Sequence, residues 1–329
     1  VIRTATFLLI LASSIPAQNL EQFVAGAARR FTPKAHRYQF ALIGDQQYNA
    51  AQEAKFPRVI DSMNREKLRF VVHDGDIKSG ASRCDEAMYQ NRLAGFQRSV
   101  HPFILTPGDN DWTDCGRAAA GGFDPLDRLK RVRELFFPKP DQSLGKRPLG
   151  LLPQSSVPGF ESYVENAMWA QGEVLFATLH IVGTNNNFAK PAEFQPRNAA
   201  NLFWLRAAFA IARQKRFRAV MLVMQANPGF ERRRAVGADG FSEMLAVLQQ
   251  ETMQFPGQVV FVHGDSHYFR IDKPLLPPGR DGARLENFTR VETFGPPDVH
   301  WLRVTVEPRN PMVFVFEQRI VPENVLPRN

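Results

Sequence analysis

The chain has 329 residues, enough for one large α/β domain or two small ones, and its 44% apolar content supports a sizeable core. The net charge of +8 suits an anionic substrate or an anionic envelope surface. No basic helix with interleaved aromatics is present, which argues against a nucleic-acid binder.

The chain opens VIRTATFLLILASSIPAQ. Arg3 gives a short positive start, Thr4 to Ile15 is uncharged and mostly apolar, and Ile15-Pro16-Ala17 reads as a cleavage site. Residues 1–17 are expected to be a secretory signal peptide, with a buried N-terminal helix as the alternative. The run is too short to span a membrane, and no later run reaches membrane length. Removing it takes away one Arg and no acid, so the charge falls from +8 to +7. We expect a periplasmic or secreted monomer that does not span a membrane, with residues 18–329 as one domain. Cys84 and Cys115 are an even pair in an exported chain, which favours a disulfide; in a cytosolic chain they would be two thiols.

Apolar runs ending in Gly or Asp then recur. RYQFALIGD (37–45) precedes a helical pattern through Phe56, Ile60 and Met63. RFVVHDGD (69–76) precedes Tyr89, Leu93, Phe96 and Val100 at the same spacing, and HPFILTPGD (101–109) follows. The steps from Asp45 to Asp76 and on to Asp109, 31 and 33 residues, match strand–helix–strand units. Residues 116–162 read as a surface insertion with one short helix around Leu129, Val132 and Phe136. ESYVENAMW and EVLFATLHIVG read as an antiparallel pair. An amphipathic helix (201–212) then feeds AVMLVMQANP (219–228). A helix around Phe241, Leu245 and Leu248 precedes QVVFVHGDSH, and the tail reads as strands with EPRNP as a hairpin turn.

Strand ends therefore present Asp45 and Gln47, Asp76, Asp109 to Asp111, Gln225 and Asn227, and Asp265 with His267. In a parallel sheet those ends share one edge, where active sites form. Each Asp alone reads as a helix cap or turn residue. Five sites in the same relative position point to one pocket, whose carboxylates cannot all stay ionised without a cation.

The order GDxQ, GD, GDND, a polar strand end and GDSH resembles the calcineurin-like metallophosphoesterases. Their pattern is GD-x-H, GD-x(n)-G, GN-H-D/E, a lone His and GH-x-H. The resemblance covers nearly the whole mature chain, including the helix bearing Trp204 and Leu205. It implies a single-domain α/β fold, a four-layer α/β/β/α sandwich, with two divalent metals at the strand ends. Carried over, Asp45, Gln47, Asp76 and His267 would hold the first metal, with Asp76 bridging; Asp109, Gln225 and Asp265 would hold the second. Such a pair activates water for attack on a phosphoester.

This sequence departs from that pattern at Gln47, Asp109, Asn110, Gln225 and Asp265. Only His267 remains of the usual histidines. Either the site is degenerate, or it has been retuned from imidazole to oxygen ligands. Retuning would favour Mn²⁺ or Mg²⁺, then Ca²⁺, with Zn or Fe behind them. Asn110 could only hydrogen-bond a phosphoryl oxygen. Asp111 and His263 are candidate proton donors, His263 because it lies two residues before Asp265; His73 and His180 qualify by residue type alone. Asn185, Asn186 and Asn187 are candidate substrate amides or a plain polar turn. Lys78 and Arg83 could meet phosphate or lie on the surface. A bridge between Cys84 and Cys115 would tie the Asp76 loop to the Asp109 loop. The expected function is an exported metal-dependent phosphoester hydrolase acting on a phosphorylated small molecule or envelope component. The alternative is a catalytically degenerate binding protein on the same scaffold, holding an anionic or metal-bound ligand.

Overall fold

Asp45, Asp76 and Asp109 follow three neighbouring parallel strands. The structure is a computed structural model that describes residues 17–232, 234–277 and 283–325. The expected signal peptide, Ala17 apart, lies outside the described residues. The chain runs α1 (Ala17–Ala28), β1 (Tyr38–Ile43), α2 (Ala50–Asn64), β2 (Val71–His73), α3 (Glu86–Gln97), β3 (Phe103–Leu105) and α4 (Pro125–Phe136). Next come β4 (Leu152–Pro153), β5 (Ala167–Gln171), β6 (Val174–Thr178), α5 (Pro191–Lys215), β7 (Ala219–Val223), α6 (Ser242–Gln254) and β8 (Gln258–His263). β9 (Arg270–Asp272), β10 (Phe288–Glu292), β11 (Trp301–Val306) and β12 (Phe314–Arg319) complete it.

The strands form two sheets, in the orders β12-β11-β1-β2-β3 and β4-β5-β6-β7-β8-β10-β9. In the first, β1, β2 and β3 are parallel, with Ile43 opposite His73 and His73 opposite Leu105. Their ends are therefore flush, and the three Asp loops leave the same edge. In the second, β6, β7 and β8 are parallel, which aligns Thr178, Val223 and Val262 and sends Gln225 and Asp265 out together. The expected β5–β6 antiparallel pair and the β11–β12 hairpin are both present.

Between the sheets lie Phe40, Phe70, Trp169 and Phe176, all buried. Phe40 stacks on Phe70 at 4.9 Å, and Phe70 meets Phe176 edge-on at 5.1 Å. Burying each such side chain contributes about 1.5–3 kcal/mol. Phe56, Ile60, Tyr89 and Phe96 of α2 and α3 pack on the outer face of the first sheet, and Trp204, Leu205, Phe209 and Leu248 of α5 and α6 on that of the second. The result is the α/β/β/α sandwich. α1 was unforeseen as a helix and lays Phe23 against Phe203 and Trp204 of α5, at 5.7 and 5.6 Å. The 116–162 stretch does more than cover the surface: Val132 and Phe136 of α4 enter the core, and β4 joins the second sheet beside β5.

Candidate functional site

Backbone strain singles out the shared strand edge. Eleven described non-glycine residues have positive φ, an uncommon conformation that costs of order 1 kcal/mol or more each. Five are Asp45, Gln47, Asp76, Asp265 and His267, and four are the consecutive residues Thr184 to Asn187. Tight turns here aim short side chains back over the strand ends. The packing leaves no room for larger residues: a Cβ on Gly264 would lie 1.7 Å from Asp45 Oδ2.

At the centre sits Asp76. Its Oδ2 accepts from the Tyr48 hydroxyl at 2.8 Å, Asn110 Nδ2 at 2.8 Å and Gln225 Nε2 at 3.1 Å. Its Oδ1 accepts from the Asn110 backbone N–H at 3.1 Å. The Tyr48 hydroxyl also lies 3.0 Å from Asp45 Oδ1 and 3.2 Å from His267 Nε2. One hydroxyl proton serves two carboxylate oxygens, so sharing or a protonated carboxyl is required. Asp45 Oδ2 in turn accepts the Asp265 backbone N–H at 2.9 Å. Asp109 Oδ2 takes the Thr184 hydroxyl at 2.6 Å, and Asp265 Oδ2 the Asn227 N–H at 2.9 Å.

The electrostatics agree with a protonated carboxyl. Burial, then repulsion from Asp109, Asp45, Asp111 and Asp265, raises Asp76 well above the usual carboxylate range. Burial raises Asp109. Asp265 is pushed up to about 7 by burial and next by Asp109. For His267, burial pulls down while the Asp45 contact at 3.5 Å pulls up, and the net shift is upward. Tyr48 is raised by burial and by its two carboxylate neighbours.

Other singled-out residues have different surroundings. Asp111 is a clamp: its oxygens accept the Ile77 and Gly108 N–H groups at 2.9 and 2.8 Å, locking the Asp76 loop to the Asp109 loop. The Cys84–Cys115 disulfide joins the same two loops. The buried Lys78 ammonium donates to the Ser79 and Ser82 carbonyls, both at 3.0 Å, within its own loop. His263 is fully buried and hydrogen-bonds the Gly264 carbonyl at 2.8 Å, with no bond to any of the clustered carboxylates. Burial lowers it to about 3, as it does His73. Gln47 is buried, its carbonyl accepts from Arg92, and its side-chain oxygen has no partner.

Residues Thr184 to Asn187 form a left-handed turn, which asparagine tolerates better than most residues. Asn186 gives its amide to the Gly240 carbonyl at 2.9 Å and accepts from Arg197 at 2.6 Å. Asn187 donates to Glu193 at 2.8 Å, and the Asn185 side-chain oxygen accepts the Gly240 N–H at 3.1 Å. These amides hold the turn that carries Thr184 to Asp109.

Sequence reasoning passed over Tyr48, Thr184 and Asp74. Tyr48 lies three residues after Asp45 in the same strand-end loop, and its position beside Gln47 was the available signal. Asp74 is buried behind Gly44, accepts the Thr293 hydroxyl at 2.8 Å, and is raised by burial and by Asp45. A buried chain behind the site was also missed: Trp112 Nε1 donates to His180 Nε2 at 3.0 Å, and His180 Nδ1 meets Glu165 at 2.7 Å. It anchors the Asp109 loop to the end of β6 and uses up the His180 ring.

Two divalent cations bridged by Asp76 would need its oxygens clear of protein donors and the Gln225 oxygen turned inward. The Gly183 N–H donates to Gln225 Oε1 at 2.6 Å, so the amide nitrogen faces Asp76. Asp45, Asp76 and His267 do converge, but on the Tyr48 hydroxyl. Among the described residues no group of three His, Cys, Asp or Glu is arranged to hold a metal ion. The residues in this arrangement do not fit the two-metal centre.

No protein-family model matches the chain, and no curated protein matches it in sequence. Solved structures do. The chain is similar to GAP50, "the anchor in the inner membrane complex of Plasmodium", with a TM-score of 0.52 and 11% identity over 86% of this chain and 89% of that one. It is also similar to the purple acid phosphatase PPD1 from yellow lupin seeds, with a TM-score of 0.50 and 12% identity over 90% of this chain. The match spans 53% of that phosphatase, about half its length. At such identities the likeness is one of fold. The chain has the calcineurin-like metallophosphoesterase fold. No helix among the described residues is long and apolar enough to cross a membrane.

Proposed function

We propose that this protein is a binding protein on a metallophosphoesterase scaffold, and that its strand-end centre is closed by the protein's own hydrogen bonds in place of two metal ions. The observation that carries this reading is the set of three protein donors, from Tyr48, Asn110 and Gln225, on Asp76 Oδ2. Without cations, the neighbouring Asp45, Asp109 and Asp265 carboxyls offer a phosphoryl group no counter-charge. The centre then serves to lock six loops into one rigid edge, and ligand capture falls to other surfaces. The fold accommodates such a use: one neighbour is described as an anchor, the other as a phosphatase. The reading includes export to the periplasm or beyond. The Cys84–Cys115 bridge supports it, because such bridges persist in oxidising compartments.

A metal-dependent phosphoester hydrolase is the second reading. One observation favours it: the Asp109 and Asp265 side chains each receive a single strong donor while repelling each other. The two readings separate on hydrolysis of aryl phosphate mono- and diesters with added Mn²⁺, Mg²⁺, Ca²⁺ or Zn²⁺. The binding reading expects the wild-type rate to equal that of Asp76→Asn under every condition. A wild-type rate well above the variant's with any of these ions establishes the hydrolase.

A further inference from the structure

Two of the eleven strained residues lie far from the carboxylate centre, Arg216 with φ 58° and Val313 with φ 66°. Both line a single cavity of about 560 Å³. It opens at the other end of the second sheet, where α5 ends and β7 and β8 begin, beside the β11–β12 turn. A β-branched residue at positive φ is a genuine outlier, and an Arg is out of place at a left-handed helix end where Gly or Asn is usual. Strain of this kind persists at functional sites.

The cavity has a built chemistry. Phe217, Phe255 and Val313 give it apolar walls and are 3%, 3% and 1% exposed. Arg213, Arg216 and Arg218 line it as well. Two of these guanidiniums are held in place. Arg213 pairs with Glu251 at 2.6 Å; Arg218 donates to the Asn310 carbonyl at 3.0 Å and lies 3.7 Å from Glu173. Arg216 is exposed and pairs with no carboxylate among the described residues. Three cations against two carboxylates leave a net positive cavity. The carbonyls at the end of α5 oppose an anion, but the Arg216 and Phe217 N–H groups already cap them.

We propose that this cavity binds a phosphate monoester with an aromatic body, the guanidiniums taking the phosphate and Phe217 and Phe255 the ring. Guanidinium geometry suits phosphate oxygens, and the volume suits a ligand from aryl phosphate to nucleotide size. The acidic strand-end centre cannot take such an anion without metals, so the two regions divide the molecule by charge. The proposal goes beyond the reading of that centre and does not depend on it.

Calorimetric titration with phenyl phosphate tests it, with phenol and inorganic phosphate as the partial ligands. Phenyl phosphate is expected to bind at least tenfold more tightly than either. Arg216→Gly removes the guanidinium and relieves the strain, since glycine adopts positive φ freely. We expect its thermal midpoint to stay level or rise while its phenyl phosphate affinity falls at least tenfold. Asp76→Asn should bind as the wild type does. Unchanged affinity in Arg216→Gly, no binding by the wild type, or loss of binding in a folded Asp76→Asn overturns the proposal.

Discussion

Gln225 faces Asp76 through its amide nitrogen at 3.1 Å while its amide oxygen takes the Gly183 N–H at 2.6 Å. A side-chain amide is ambiguous in isolation, but here the oxygen end is fixed: the Gly183 N–H can only donate, which leaves the amide nitrogen facing Asp76. Gln225 is therefore a donor to the carboxylate rather than an oxygen ligand in waiting.

Replacing that donor with an acceptor of the same shape should be costly. Gln225→Glu sets a second buried carboxyl against Asp76. We expect a loss of about 3 kcal/mol or more in urea unfolding without divalent ions. Added Mn²⁺ or Mg²⁺ should restore part of it in the variant and do nothing for the wild type. A variant as stable as the wild type in chelator would show that the Gln225 nitrogen is not needed.

Tyr48→Phe removes one hydroxyl that serves Asp45 and Asp76 together. Hydrogen bonds to charged groups contribute about 1.5–3 kcal/mol, so the variant should lose about 2 kcal/mol by denaturant titration. An unchanged midpoint would mean that the hydroxyl is incidental to the centre.

Asp265 gives the centre a pH signature. Its carboxyl is raised to about 7 in the fold, by burial and then Asp109, from about 4 in the unfolded chain. Between those values the folded state holds a proton that the unfolded state has released. Its contribution to stability is thus present below about pH 4 and is lost as pH rises through about 7. Asp265→Asn removes that dependence. The stability of wild type minus Asp265→Asn should fall by up to a few kcal/mol between pH 4 and 8. His73 and His263, held low by burial, act alike on both proteins and drop out of the difference. A difference that stays constant or rises with pH contradicts the burial of this carboxyl.

The Cys84–Cys115 bridge closes a separation of 31 residues. A loop of that size restricts the unfolded chain by about 4 kcal/mol. Cys84→Ala with Cys115→Ala should lower stability by about that amount. No change would mean that the Asp111 clamp alone holds the two loops.

Much of the fold was legible because strand ends announce themselves. VVHDGD and ILTPGD each pass from β-branched or aliphatic residues to Gly and Asp, and the 31- and 33-residue spacing matches strand–helix–strand units, whose strands the structure pairs in parallel. What the pattern could not reveal is the direction in which an amide points. Gln225 and Asn110 look equally like oxygen ligands and nitrogen donors in sequence; the neighbouring Gly183 N–H decides for Gln225, and Asn110 turns its nitrogen to Asp76 and Tyr48. The three consecutive asparagines at 185–187 signalled a left-handed backbone as much as a polar contact. His263 looked reactive because alternation from Asp265 put it on the same face. Positive φ at Asp265 breaks that alternation and leaves the ring buried apart.

The most direct test is the metal content of the protein itself. Protein expressed in medium supplemented with Mn²⁺, Mg²⁺, Ca²⁺ and Zn²⁺, then desalted without chelator, should carry no stoichiometric divalent ion by elemental analysis. Its thermal midpoint should not move when EDTA or any of these ions is added. Two ions per chain, with a midpoint that falls in EDTA, would contradict the claim that Tyr48, Asn110 and Gln225 stand where metals would.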